Sequence, residues 1–158
     1  MQTISPIGMI FSPHQSVENM PIQPIGALGI EGQVQVHEKY AEGLQDLDGF
    51  SHIYLVYYFH AARRTALLIQ PFMDTQTRGV FATRSPLRPN HIGISIVRLK
   101  KRENNRLFVL DIDILDQTPL LDIKPFIHQF DCVENSTPGW LKASDQEIKN
   151  KRSDNRFK

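Results

Sequence analysis

Apolar positions along this chain recur mostly with a period of two. Residues 33–37 (QVQVH) alternate polar and apolar, the pattern of a strand with one buried face. Residues 4–11 are apolar with Pro6 near their start, which suits a first or edge strand because proline offers no ladder donor. Residues 52–59 (HIYLVYYF) are apolar on both faces and rich in aromatic and β-branched side chains, so they predict a central strand. Residues 79–82 predict a short strand. Residues 92–99 and 107–115 flank Glu103-Asn104-Asn105, a polar turn whose residues tolerate positive φ, and together they predict a hairpin. Residues 120–124 predict a last strand, stopped by Pro125.

Helical patterns are few. Residues 38–47 place Tyr40, Leu44 and Leu47 on one face, but Gly43 interrupts them and limits the prediction to a short helix. Residues 61–68 read as a turn of helix or an ordered loop. In residues 143–151, Ser144 followed three residues later by Glu147 is a capping box; the apolar face is small, which predicts a peripheral helix or a frayed tail. With no helix long enough to serve as a crossover, the fold class is mainly β, a single antiparallel β-barrel domain rather than a doubly wound Rossmann sheet. The barrel is expected over residues 1–142, with a basic C-terminal tail over 143–158.

Composition sets limits on function. The 158 residues are 41% hydrophobic and 22% charged, within the globular range and the size of one domain. Eighteen basic residues against seventeen acidic ones leave a net charge of +1, which excludes a polyanion binder acting through bulk charge. Local charge is less even. Residues 84–106 carry seven basic side chains and one acid, and residues 142–158 carry six against three. The run Lys100-Lys101-Arg102 suits either a solvated hairpin tip or a phosphate backbone. The lone Cys132 cannot form an internal disulfide or a four-cysteine zinc site, and it points to a reducing cytoplasm. Six scattered histidines show no metal-ligand spacing, so no metal is expected. Neither a membrane span nor a signal peptide is recognisable, and the chain is expected to be soluble and unprocessed.

Three segments carry chemistry that a bare barrel does not need. Residues 81–93 (FATRSPLRPNHIG) set Arg84 and Arg88 among two prolines, which fix φ and hold the guanidiniums in place for a carboxylate or phosphate. The alternative is a structural loop whose arginines pair with surface acids. In residues 115–126 (LDQTPLLDIKPF), an extended backbone puts Asp122 and Lys124 on one face and Ile123 on the other. That pair is either a register-fixing ion pair or a polar ligand clamp. Residues 20–24 (MPIQP) present Gln23, a donor and acceptor suited to a nucleobase edge or simply to a surface turn. His60, at the end of the apolar strand, is either a satisfied terminal histidine or a site residue. No GxGxxG, GxxxxGK[ST] or GxSxG motif occurs.

Residues 42–60 (EGLQDLDGFSHIYLVYYFH), 79–95 (GVFATRSPLRPNHIGIS) and 115–126, in this order, resemble the TsaA-like (TrmO) family of tRNA methyltransferases. The resemblance spans nearly the whole chain, with GWLKAS and DNRF as weaker echoes. It implies a dimeric β-barrel that binds S-adenosylmethionine outside any Rossmann framework. The implied reaction is methylation of the N6 nitrogen of N6-threonylcarbamoyladenosine beside the tRNA anticodon. By position, the implied cofactor contacts are Pro21, Ile22, Gln23, His60, Ala61, Arg84, Ile94, Asp122, Ile123, Lys124 and Pro125. On their chemistry, Arg84 and Lys124 are expected to orient a carboxylate and Asp122 to bind cofactor donors or lie near the transferred proton, which makes these three the expected catalytic groups. Arg88 and Asn90, with the basic run Lys100, Lys101 and Arg102, are expected to face RNA. The chain departs from the family pattern at Ile22, usually basic; Ala61, often Gln; His91, commonly proline; and Gln117, usually glycine. The competing readings are a methyltransferase of the same fold with another acceptor and a non-catalytic S-adenosylmethionine- or RNA-binding module.

Overall fold

The computed structural model describes all 158 residues. Its strands are β1 (Gly8–Phe11), β2 (Glu31–Val36), β3 (His52–Tyr58), β4 (Leu68–Ile69), β5 (Arg78–Gly79), β6 (Ile92–Glu103), β7 (Arg106–Leu110) and β8 (Thr118–Pro125). Two short helices follow, α1 (His128–Asp131) and α2 (Asp145–Asn150). Six strands close into a barrel in the order β1-β2-β7-β6-β3-β8, and every pairing is antiparallel. Closure leaves no unpaired sheet edge. β4 and β5 form a separate two-stranded ribbon.

The period-two pattern fills the interior. Val34 and Val36 of β2 point inward with Ile10, Ile53, Leu55, Val97, Leu107, Val109 and Leu120, all essentially without exposure. β3 is central as expected, with β6 on one side and β8 on the other. Its outer face is nevertheless open. Tyr54 and Val56 are half-buried, and Tyr58 stays exposed beside the exposed Ile94 and Ile96 of β6. No helix is long and apolar enough to cross a membrane.

Several boundaries differ from the sequence reading, each for a local reason. The second hairpin strand ends at Leu110 rather than residue 115, because Asp111 takes φ +71 and turns the chain. Residues 38–47 form 3-10 turns, Glu38–Leu44 and Leu47–Gly49, with Asp46 at φ +66 between them; Leu44 alone is buried there. Residues 79–82 are strand only as far as Gly79, and Val80–Ala82 is a 3-10 turn. Residues 61–67 are loop, leading into β4.

The last sixteen residues fold back on the barrel. α2 carries both halves of its capping box, Ser144 Oγ accepting from the Glu147 N–H and the Glu147 carboxylate from the Ser144 N–H. Beyond it, Ser153 N–H donates to Met20 O and accepts Asn19 N–H through its own carbonyl, both within 2.8 Å. Arg156 donates to Pro71 O at 2.9 Å, and Phe157 packs on Phe72 with ring centres 4.8 Å apart.

Candidate functional site

A cleft of about 950 Å³ opens beside the barrel. It lies between the first long loop, the ends of β3 and β6, the arginine loop and the returning C-terminal segment. Eight residues singled out by sequence line it: Pro21, Ile22, Gln23, His60, Ala61, Arg84, Arg88 and Ile94. The two arginines do different work. Arg84 Nη1 donates to Gln23 Oε1 at 2.8 Å, which leaves its other donors free. Arg88 turns inward, and its Nη1 donates to the carbonyls of Thr83 (2.8 Å), Val80 (3.3 Å) and Ser85 (3.3 Å). Arg88 thus stitches the loop, Ser85 and Leu87 bury its underside, and the His91 ring reaches Pro86 O at 2.8 Å. These bonds brace the loop beyond what its prolines fix, and Arg84 is the guanidinium it presents to the cleft.

His60 is held in one tautomer. Thr118 Oγ1 spends its single proton on Leu115 O at 2.6 Å, so the His60 Nδ1 at 3.3 Å must be the donor. That leaves Nε2 as an acceptor. Burial, with Arg63 nearby, pushes the ring pKa down and keeps it neutral at pH 7.

Asp122, Ile123, Lys124 and Pro125 do not line the cleft. Asp122 and Lys124 share a face as predicted and pair at 3.0 Å, both about half-exposed or more, while Ile123 packs against the core. Asp122 and Ile94 both sit opposite Val56, on either side of β3. Two strand spacings, roughly 10 Å, therefore separate the Asp–Lys pair from the cleft wall. Burial pushes the Tyr54 and Tyr57 hydroxyls on β3 up, with the charge of Arg84 a smaller opposing influence on each. Asp122 and Lys124 sit opposite Val56 and Tyr54 on that strand, outside the cleft lining that holds Arg84.

The hairpin cations lie elsewhere. Lys100 pairs with Glu31 and Lys101 with Glu103, each at 2.6 Å, and Arg102 reaches Asp48 at 3.8 Å. They follow Ile94 by six to eight residues on one strand, roughly 20–27 Å away. Asn90 also lies outside the cleft lining. No group of three His, Cys, Asp or Glu is arranged to hold a metal.

Two parts of the cleft escaped the sequence reading. Trp140, Leu141, Ile148 and Phe157 form a wall from the C-terminal segment, and Trp140 Nε1–H anchors on Ala82 O at 2.7 Å. Asp113 lines the cleft with Tyr57; its carboxylate accepts from Ser95 Oγ at 2.7 Å, and burial pushes its carboxyl up to about 6. The lone tryptophan was a signal for the first; Asp113 sits in the plain alternation Asp111-Ile112-Asp113-Ile114 and carried none by itself.

Comparison with known proteins agrees with this architecture. The family model described as tRNA-methyltransferase O N-terminal domain matches residues 9–132. A probable S-adenosyl-L-methionine-binding protein of Pyrococcus abyssi is 50% identical over 152 residues, covering 96% of this chain and 83% of its own length. The crystal structure of TrmO from Pseudomonas aeruginosa superposes with a TM-score of 0.75 at 37% identity over 89% of this chain. The mouse tRNA (adenine(37)-N6)-methyltransferase is 38% identical over 95 residues, 58% of this chain and 22% of the mouse protein. The chain spans 62% of the Pseudomonas structure. It belongs to the tRNA-methyltransferase O N-terminal domain family.

Proposed function

We propose that this chain is an S-adenosyl-L-methionine-dependent methyltransferase acting on the N6 nitrogen of N6-threonylcarbamoyladenosine beside the tRNA anticodon. The observation that carries the reading is convergence on one cleft. A free guanidinium (Arg84), a side-chain amide (Gln23), a neutral imidazole (His60) and an apolar strand wall (Ile94) arrive from four separate segments. A volume near 950 Å³ is at the upper end of small-molecule sites, enough for a nucleoside cofactor and part of an acceptor nucleoside. The family and the names of its relatives support the same chemistry.

The residues present fit the cofactor's functional groups. Arg84 is suited to a carboxylate, Gln23 to a nucleobase edge, and Pro21, Ile22, Ala61 and Ile94 to the apolar faces of a bound nucleoside. When bound, S-adenosylmethionine supplies an activated methyl group on a sulfonium. The protein's share is then mainly to hold the reactants in register and keep water out, which can be worth roughly 7–11 kcal/mol. Asp122, Lys124 and Pro125 lie outside the cleft lining, so their part in this reading requires a ligand that runs past the cleft edge to β8. We assign Lys124 and Arg84 to carboxylates, of the cofactor or of the threonyl group, and Asp122 to amine or hydroxyl donors.

For RNA, Arg88 and Asn90 belong to the loop at the cleft mouth, while the distant Lys100, Lys101 and Arg102 offer a second phosphate contact only by releasing their acidic partners. A homodimer is the proposed assembly, since Ile94 (46% exposed), Ile96 (36%) and Tyr58 (38%) leave an apolar strip on the barrel. Cytoplasmic residence accords with the free, exposed Cys132.

Incubation of tRNA with the protein and S-adenosylmethionine, followed by mass spectrometry of the nucleosides, tests the reading. A mass gain of one methyl on N6-threonylcarbamoyladenosine is expected. Methylation of a different nucleoside favours the same-fold enzyme with another acceptor, and cofactor binding without methylation of any RNA favours the binding module.

A further inference from the structure

Asp113 lies between β7 and β8, in the wall of the cleft. Its neighbours Ile112 and Ile114 are buried in the core, while Asp113 keeps partial exposure at the cleft. Its Oδ1 accepts from Ser95 Oγ at 2.7 Å, and the Tyr57 hydroxyl lies 3.0 Å from that same Ser95 oxygen. Ser95 has one proton and gives it to Asp113, so Tyr57 must donate to Ser95. The relay Tyr57 to Ser95 to Asp113 runs one way and ends on the carboxylate. Tyr57 and Ser95 are buried, which fixes the geometry. Ser95 is the one side chain that donates to the Asp113 carboxylate, which leaves Oδ2 without a side-chain donor and not sealed from the cleft.

We propose that Asp113 Oδ2 takes the proton released when the acceptor nitrogen is methylated in this cleft. The proposal rests on the methyltransferase reading above. The acceptor nitrogen gains a carbon–nitrogen bond and loses its hydrogen as a proton to Oδ2. The carbon–sulfur bonding pair stays with the donor sulfur, whose positive charge is cancelled, and the carboxyl then releases its proton to solvent.

The surroundings suit a base rather than a fixed counter-ion. Ser95 on β6 donates to Oδ1 with Tyr57 on β3 behind it, and the charge of Arg84 favours the ionised form. The adjacent acids are turned away, Asp111 to Arg98 and Asp116 to Ser12 and Gln15. His14 bonds the Ile112 carbonyl, and His60 is the other acceptor in the cleft. With its carboxyl raised to about 6, Asp113 is mostly ionised at pH 7 yet more basic than an exposed aspartate.

The test compares the full chain with Asp113→Asn and Ser95→Ala. The methylation rate of the wild type should fall on the acid side with a midpoint near pH 6. Asp113→Asn should lose about 100-fold or more in rate at pH 7 and lose that acid limb. Cofactor affinity by calorimetry should stay within about threefold of wild type. Ser95→Ala removes the donor that holds the carboxyl down, so its acid limb should move to higher pH. Carbon-13 NMR of labelled aspartate carboxyls should show one resonance titrating near pH 6, absent in Asp113→Asn. A wild type that methylates while Asp113→Asn matches it, or keeps the limb near pH 6, overturns the assignment and shifts it to His60. An NMR midpoint near 4 overturns it as well. A wild type that binds cofactor and methylates no tRNA overturns the methyltransferase reading instead, and this proposal with it.

Discussion

Arg84 Nη1 donates to Gln23 Oε1 at 2.8 Å across 61 residues of sequence. This bond, in the lining of the cleft, joins a proline-bracketed turn to a proline-fixed loop. Each side chain is ambiguous alone, since a surface turn or a solvent-facing arginine would explain it. Together they form a preset donor–acceptor pair whose guanidinium has spare donors aimed at the same space as His60.

Removing that guanidinium should separate binding from folding. Arg84→Ala loses one hydrogen bond at a partly exposed site, about 0.5–1 kcal/mol, so the thermal midpoint should fall by no more than about 3 °C. Methyl transfer to tRNA should become undetectable, and calorimetric cofactor affinity should drop at least tenfold. Normal turnover in this variant would remove Arg84 from the site.

Gly93 is where the barrel can be broken from inside. A Cβ added there would overlap the Tyr57 ring and lie 2.7 Å from Phe59 Cζ. Those rings pack edge to face, with centroids 5.4 Å apart, and Tyr57 is buried with its hydroxyl bonded to Ser95, so they cannot yield cheaply. Gly93→Ala should cost about 1–3 kcal/mol, read as a lower denaturant midpoint at unchanged slope.

Two departures from the family pattern carry opposite strain. Gln117 stands where the family usually has glycine, and it keeps the left-handed backbone at φ +58. Gln117→Gly should therefore stabilise the chain by about 0.5–1 kcal/mol, the strain relieved less the entropy glycine costs. His91 stands where proline is common, but its φ is +50 and its N–H donates to Arg88 O at 3.1 Å. Proline can satisfy neither condition, so His91→Pro should destabilise by about 3 kcal/mol. Chemical denaturation of both variants checks the signs.

The barrel was legible because period-two alternation is local and strong. Val34, Val36, Ile53 and Leu55 point where the pattern puts them. Boundaries failed where a single residue turns the backbone, as Asp111 and Asp46 do through positive φ, since nothing in their identity demands it. Part of the site was visible as unusual composition: arginines among prolines, and an Asp-Lys pair on a strand. Asp113 was not, because an acid in an alternating run becomes informative only once Ser95 and Tyr57 are known to meet it. The C-terminal wall was missed for a similar reason. Trp140 and Phe157 have no periodicity and take meaning only from Ala82 and Phe72, far away in sequence.

Asp111 should make stability depend on acid. Arg98 grips it through two bonds, at 2.5 and 2.8 Å, and Gly29 N–H adds a third at 2.8 Å. The Arg98 guanidinium holds the carboxyl below its usual 3.8. A carboxyl depressed on folding stabilises fully above its unfolded pKa and loses that contribution as pH falls through the folded value. Asp111→Asn keeps a residue that tolerates positive φ and should cost roughly 2 kcal/mol at pH 7. Urea melts at pH 7 and at pH 3 should show the gap to wild type closing in acid; an equal gap at both would show that the pair's charge is immaterial.

Assembly can be tested at Val56, the centre of the open strip on β3. It lies between Ile94 and Asp122 on the neighbouring strands. Val56→Lys puts a cation in the strip while giving it Asp122 as a cross-strand partner, so the monomer should keep its fold. An exposed apolar strip of this kind gains from burial against a second copy, and a charge at its centre must be desolvated for that contact to form. Sedimentation of the wild type should give about twice 18.1 kDa, and Val56→Lys should give the single-chain mass. If Lys124 and Asp122 are completed across such an interface, the variant should also lose cofactor affinity while its thermal midpoint at high dilution matches that of wild type. A wild type that sediments as a monomer at every concentration removes the dimer, and the Asp122–Lys124 end must then reach the ligand along its own β8.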